Sequence, residues 1–208
     1  MLVYALGGSV FMENLDQLEE YAEFFDSLDE QMVIVTGAGK LKENILAAGD
    51  VANQSELDLI GIKATRLNAE TLKAAIDSYP TIPETVEEVQ EAVATGKNVV
   101  MGGLVPGYST DAVAATVAEL FDAELVIATS VDGVYTTDPE KQDAEKLDEV
   151  SIEELGEITD GNNSAGNHDL IDTVALEIVD RSSIGTRVLL GTPENLKSGE
   201  FNGTDILP

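Results

Sequence analysis

Four glycine-rich turns, each closing a short apolar run, constrain this chain more than any other feature. They are Gly7-Gly8-Ser9, Gly37-Ala38-Gly39-Lys40, Gly102-Gly103 with Pro106-Gly107-Tyr108-Ser109-Thr110-Asp111, and Thr129-Ser130-Val131-Asp132-Gly133-Val134-Tyr135. The runs before them, residues 2–6, 32–35, 98–101 and 124–128, have the length and apolar content of buried strands. Helical patterns fall between them: a segment capped by Asn14 and running to about 28, then 40–48, and a longer one opening at Ser55 and reaching about 76. A polar helix over 84–94 ends at Gly96, and an Ala/Val-rich one follows Thr110-Asp111 to Phe121. Beyond the fourth turn the pattern predicts a charged surface loop after Pro139, helices over 151–156 and 170–181, and strands over 187–190 and 205–207. Strands alternating with helices argue for an α/β, three-layer αβα sandwich with a mostly parallel central sheet. Ligands of such sheets sit beyond the carboxyl ends of the strands, where these turns fall. Turns of this kind expose backbone N–H groups, which suit anions and phosphate above all.

Length and composition narrow the class of function. The chain has 208 residues, enough for one large α/β domain, and 43% of them are apolar, so a net charge of −29 does not signify a disordered polyanion. No apolar run approaches the ~20 residues that cross a bilayer, and the N-terminal stretch lacks the basic segment of a signal peptide. The expectation is a cytoplasmic protein without a membrane partner. With no cysteine, there is no disulfide, thiolate nucleophile or Cys-bound metal. Forty acidic residues against eleven basic ones leave no basic patch, which argues against a nucleic-acid partner. Acids stand even on solvated helix faces (Glu84, Glu87, Glu88, Glu91) where lysine is the usual choice. At molar salt the screening length falls to ~3 Å and the mutual repulsion largely disappears, so the composition reads as adaptation to a high-salt interior.

The phosphate chemistry is narrowed by absence and by pattern. The P-loop run, the dinucleotide G-x-G-x-x-G and the protein-kinase signatures are all missing from the sequence. The blocks present are Gly7-Gly8-Ser9-Val10, Gly39-Lys40, Asp58 with Gly61 and Thr65-Arg66-Leu67-Asn68-Ala69, and Met101-Gly102-Gly103. They continue with Pro106-Gly107 and Thr110-Asp111-Ala112-Val113-Ala114-Ala115, then Asp132-Gly133-Val134-Tyr135 with Asp138-Pro139, and Ser164-Ala165-Gly166. In that order and spacing the chain resembles the amino-acid kinase superfamily, and within it the archaeal uridylate (UMP) kinases. The resemblance implies the amino-acid kinase fold in a single domain over 1–208, with a phosphoryl-acceptor half at about 1–122 and an ATP-binding half at about 123–208. It also implies transfer of the ATP γ-phosphoryl group to UMP with Mg²⁺, and a homohexamer to which Leu15, Leu18, Phe24 and Phe25 would offer an apolar interface.

Residue by residue, the resemblance implies that Gly8, Ser9 and Gly39 meet the ATP phosphates and that Thr129, Tyr135 and Asp138 hold the adenine nucleotide. Ala38, at a usual glycine position, would offer its N–H to UMP. Asp58 would hold the ribose, and Val105, Pro106, Gly107, Tyr108, Ser109, Thr110 and Asp111 would wrap the UMP phosphate and base. Lys40 is the candidate cation at the transferring phosphoryl group. Phosphoryl transfer depends on alignment and charge neutralisation, which such groups supply. Two departures matter. Ala38 is tolerable where φ is negative. Glu43 stands where the family usually places an arginine that reaches nucleotide phosphate, and Lys42 substitutes for it only if the helix start is reset.

Plainer explanations stand beside these. Gly7-Gly8 alone is a tight turn, Lys40 a solvated first-turn residue, Asp58 a helix N-terminal acid, Asp111 an N-cap and Tyr135 an edge packer. His168, in a polar loop, reads as exposed, and the Glu-rich helix as a solvated face. Two other functions stay open: another small-molecule kinase of the superfamily, or a nucleotide-binding regulatory protein impaired at position 43.

Overall fold

The computed structural model describes residues 1–137, 143–161, 171–197 and 202–207. In chain order these form β1 (Leu2–Leu6), α1 (Gly8–Glu13), α2 (Leu18–Asp26), β2 (Met32–Thr36), α3 (Lys42–Ala48) and α4 (Gln54–Lys73). They continue with α5 (Val86–Val93), β3 (Val99–Met101), α6 (Thr110–Phe121), β4 (Glu124–Thr129), β5 (Glu149–Ser151) and α7 (Ile152–Gly161). The last are α8 (Thr173–Ser182), β6 (Thr186–Leu190), α9 (Pro193–Lys197) and β7 (Gly203–Leu207).

One seven-stranded sheet has the order β3-β2-β1-β4-β6-β7-β5, parallel throughout except for the antiparallel β6–β7 pair. Alternate residues of the central strands serve opposite faces, as the two-residue period of a strand requires. Val3, Ala5, Val33, Val35, Leu125 and Ile127 pack in one core with α6 and α8 residues such as Val113, Ala114, Ile178 and Val179. Tyr4, Leu6, Met32, Ile34, Val126 and Ala128 pack in the other with Phe11, Tyr21, Phe25 and Leu72 from α1, α2 and α4. That division is the expected three-layer arrangement. Because β2 and β3 lie on one side of β1 and β4 on the other, the connections diverge at the carboxyl ends of β1 and β4. A crevice opens at such a divergence.

Several boundaries differ from the sequence expectation. The first helix begins at Gly8, directly after the glycine turn, and Asn14 closes it by donating to the Val10 carbonyl at 2.7 Å. A 3₁₀ turn over Leu15–Gln17 then leads into α2. The long helix starts one residue before Ser55, at Gln54, because Asn53 and Glu56 form a reciprocal capping box. At α6 the cap is Ser109, whose hydroxyl accepts from the Ala112 N–H at 3.0 Å, so Asp111 lies in the first turn rather than at the cap. Strand β5 and helix α9 carried no sequence signal of their own. Each is short, and β5 is held by pairing with β7.

Candidate active site

The first two glycine turns touch backbone to backbone. A Cβ built on Gly8 would stand 2.1 Å from the Gly39 nitrogen and 2.5 Å from the Gly37 carbonyl carbon. A Cβ on Gly39, whose φ is +56°, would stand 2.2 Å from the Gly8 carbonyl oxygen. No side chain fits between these loops, so the approach itself requires glycine at both positions. Ala38 between them has φ −77° and ψ −29°, which any residue adopts, and this removes the conformational objection to alanine there.

Hydrogen bonds lock the turns to the sheet and to α4. The Gly7 N–H donates to the Ala128 carbonyl at 2.7 Å and the Gly37 N–H to the Leu6 carbonyl at 2.9 Å. From α4, the buried Asn68 amide donates to the carbonyls of Gly37 at 2.7 Å and Ala38 at 3.3 Å. One turn earlier, the Thr65 hydroxyl accepts from the Gly103 N–H at 2.8 Å, and Arg66 Nε donates to the Gly103 carbonyl at 3.1 Å. A single helix thus positions the second and third turns together. The fourth turn is held from the opposite edge: the Val134 N–H donates to the Thr204 hydroxyl at 2.8 Å, and Gly133 has φ +147° with Thr204 packed against it. The Tyr135 hydroxyl donates to Asp132 at 2.9 Å, which raises the tyrosine pKa, and Lys146 reaches Asp132 at 3.5 Å and Asn202 at 2.5 Å.

Beside the second turn lies a cavity of about 490 Å³, within the ~300–1,000 Å³ typical of small-molecule sites. Of the acceptor-site expectations, Ala38, Asp58, Val105, Gly107, Tyr108, Ser109 and Thr110 all line it. They come from the second turn, α4, the loop after β3 and the start of α6. Pro106 and Asp111 do not line it. Lys42, Ile45, Gln54, Leu57, Gly61, Ile62, Thr65 and Gly103 complete the wall. Gln54 donates to the Asp58 carboxylate at 2.9 Å, fixing its direction. Behind the cavity, the Ser109 hydroxyl donates to Asp172, which also caps α8 through the Val174 and Ala175 N–H groups. Asp111 is pushed up to about 7, first by burial of its carboxyl and then by the Asp172 charge, with Lys42 acting in the opposite direction.

The donor-site expectations fall elsewhere. Gly8 and Gly39 meet in the glycine contact, Ser9 is exposed at the start of α1, and Thr129 lies next to Gly7 at the end of β4. Tyr135 sits on the fourth turn, and Lys40 is exposed and outside the cavity wall. Asp138, the Ser164-Ala165-Gly166 block and His168 lie outside the described residues. The anchoring roles of Asn68 and Thr65 were not foreseen. A buried asparagine on the otherwise apolar face shared by Ile62, Ala69 and Leu72 was the available signal for Asn68. Nothing local marked Asp172, whose contact with Ser109 spans 63 residues.

The glycine contact adjoins the cavity at Ala38, and comparison with known proteins gives the family. The model of the amino acid kinase family matches residues 1–189. The chain belongs to that family. The chain is 42% identical to a uridylate kinase of Methanococcus maripaludis (strain C7), over 100% of this chain and 99% of that protein. It is also 42% identical to a uridylate kinase of Haloarcula marismortui, over 100% of this chain and 98% of the relative. The crystal structure of uridylate kinase from Archaeoglobus fulgidus superposes with a TM-score of 0.89 at 41% identity, covering 99% of each chain. No helix among the described residues is long and apolar enough to cross a membrane.

Proposed function

We propose that this family member transfers the γ-phosphoryl group of ATP to UMP, giving UDP and ADP. The observation that carries the reading is the shared second turn. Ala38 lines the cavity while its neighbours Gly37 and Gly39 press against Gly8, so the cavity and a backbone-to-backbone glycine contact meet over three residues. Full-length similarity to uridylate kinases supplies the acceptor's identity.

In this reading UMP occupies the cavity, with Asp58 on the ribose and residues 105–111 around base and phosphate. ATP lies along Gly8, Ser9 and Gly39, its nucleoside toward Thr129, Tyr135 and Asp138. An oxygen of the UMP phosphate attacks the γ-phosphorus as the bond to the bridging oxygen of ADP breaks. The protein's part is alignment, charge compensation by backbone N–H groups, and a lysine, Lys40, at the transferring group. An ATP polyphosphate at these turns would bring its own Mg²⁺, an ion that keeps water and phosphate ligands rather than an all-protein cage. Bound there, Mg²⁺ would neutralise charge developing on the phosphate oxygens. The acceptor half at about 1–122, the ATP half at about 123–208, a homohexameric assembly and a cytoplasmic, high-salt setting belong to the same proposal. Of the four residues offered for an interface, Phe25 is consumed by the core while Leu15 stays exposed. A coupled ADP-release assay in molar KCl with UMP, CMP, acetylglutamate and isopentenyl phosphate tests the reading. Turnover is expected with UMP. Turnover with another acceptor, or nucleotide binding without turnover, would replace it.

A further inference from the structure

Between α2 and α9 lies a second cavity, of about 520 Å³. Its floor is the amino-terminal part of β1, β4 and β6, whereas the glycine turns follow the carboxyl ends of β1 and β4. It shares no described lining residue with the cavity at Ala38. Leu2, Val126 and Leu189 from the sheet, with Phe24 and Leu28 from α2, make most of its wall apolar. Across this floor Tyr4, Val126, Arg187 and Asp205 stand in one row on four adjacent strands.

Two features of the row define a ligand. Tyr4 is only 5% exposed, yet its hydroxyl has no hydrogen-bond partner among the described residues. A buried tyrosine hydroxyl ordinarily finds one, as Tyr21 does in the same core by donating to the Gly191 carbonyl at 2.8 Å. No sealed side-chain oxygen or nitrogen among the described residues lacks a partner, so the Tyr4 oxygen is open to the cavity that this residue lines. Burial above all pushes the Tyr4 pKa up to about 12, with Arg187 lowering it and Glu30 raising it, so the group stays a protonated donor near neutral pH. The second feature is charge. Arg187 is the one cation among the described lining residues, and its Nε donates to Asp205 at 2.8 Å. Glu124 adds a further carboxylate, so the wall carries a net negative charge and an anion would be buried there against it. A cation would give up its hydration for an apolar floor, with Glu124 exposed to water and too well solvated to repay it.

We propose that this cavity is a second ligand site, separate from the nucleotide site, for an uncharged and chiefly apolar molecule whose carbonyl-type oxygen accepts from the Tyr4 hydroxyl. The proposal stands on the cavity and the open hydroxyl, independently of the reading of the other cavity as the UMP site.

Titration of the full-length protein with acetophenone in molar KCl, followed by the shifts of its backbone amides, tests it. Two probes of similar size serve as comparisons: benzoate, which carries a charge, and toluene, which lacks the acceptor. Acetophenone should give saturable shifts at Tyr4, Val126 and Arg187, and saturating UMP and ATP should leave its affinity within about twofold. Benzoate should bind at least about tenfold more weakly. One neutral hydrogen bond predicts that Tyr4→Phe weakens acetophenone about fivefold and leaves toluene within about twofold. The variant loses only a hydroxyl without a protein partner, so it should fold as the unsubstituted chain does. No saturable shift at the floor, benzoate binding as tightly as acetophenone, or equal effects of Tyr4→Phe on acetophenone and toluene would overturn the assignment. Displacement of acetophenone by UMP or ATP would overturn it as well, by making the cavity part of the nucleotide site.

Discussion

Replacing Asp111 by asparagine should stabilise the protein, and only above about pH 5. The Asp111 carboxyl is largely stripped of water and faces the Asp172 charge, which together raise its pKa from 3.8 to about 7 against the pull of Lys42. The folded state therefore holds this proton more tightly than the unfolded chain does. Its contribution is fully present below about pH 4 and is lost as pH rises towards 7, after which it stays lost. Each tenfold in ionisation constant is worth about 1.4 kcal/mol, so a move from 3.8 to about 7 sets a ceiling of about 4 kcal/mol. The residue keeps part of its surface open, and solvent relaxation there reduces the expected cost to about 1–3 kcal/mol. Asparagine keeps the shape and removes the charge. Urea unfolding of both proteins from pH 4.5 to 8.5 in molar KCl should show the variant's advantage growing between about pH 5 and 7 and then levelling. Carboxylates remote from position 111 contribute equally in both proteins and cancel. An advantage that is flat with pH, or a variant less stable at pH 8, would refute the argument.

The same geometry makes further outcomes testable. Gly8→Ala places a methyl group 2.1 Å from the Gly39 nitrogen, so the two turns must part; phosphoryl transfer should fall by at least about a hundredfold while stability drops only about 1–3 kcal/mol, measured by ADP release and urea unfolding. Asn68→Ala leaves the Gly37 and Ala38 carbonyls without their buried donor, at a cost of about 1–3 kcal/mol, and should raise the KM for UMP because Ala38 is part of the cavity wall. With a net charge of −29, the melting temperature should rise steadily between about 0.1 and 2 M KCl, and a melting temperature that falls with salt would contradict the reading of the composition.

Much of the architecture was legible because it follows from period and punctuation. The two faces of β1 are written in the alternation Val3, Tyr4, Ala5, Leu6, and the glycines mark where each strand must stop. The cavity was legible in part as well: Ala38, Asp58 and most of 105–110 converge on it because their elements end on one side of one sheet. What the sequence concealed depends on rotation or on distance. That Lys42 and not Glu43 lines the cavity depends on where α3 starts after a 3₁₀ turn, which no composition signal announces. The join between Ser109 and Asp172 needs α6 and α8 packed side by side, a tertiary fact invisible to local pattern. Asn14 was ambiguous for a local reason, since its side chain can either open a helix or close the preceding one, and here it closes α1.

The central claim is that two ligands meet across the second glycine turn. A crystal structure with UMP and a non-hydrolysable ATP analogue bound together tests it most directly. The account predicts the UMP phosphate at Thr110, the ATP polyphosphate along Gly8 and Gly39, and the γ-phosphorus within about 3.5 Å of a UMP phosphate oxygen. UMP bound outside the cavity walled by Ala38 and Asp58, or two nucleotides held too far apart to react, would contradict it.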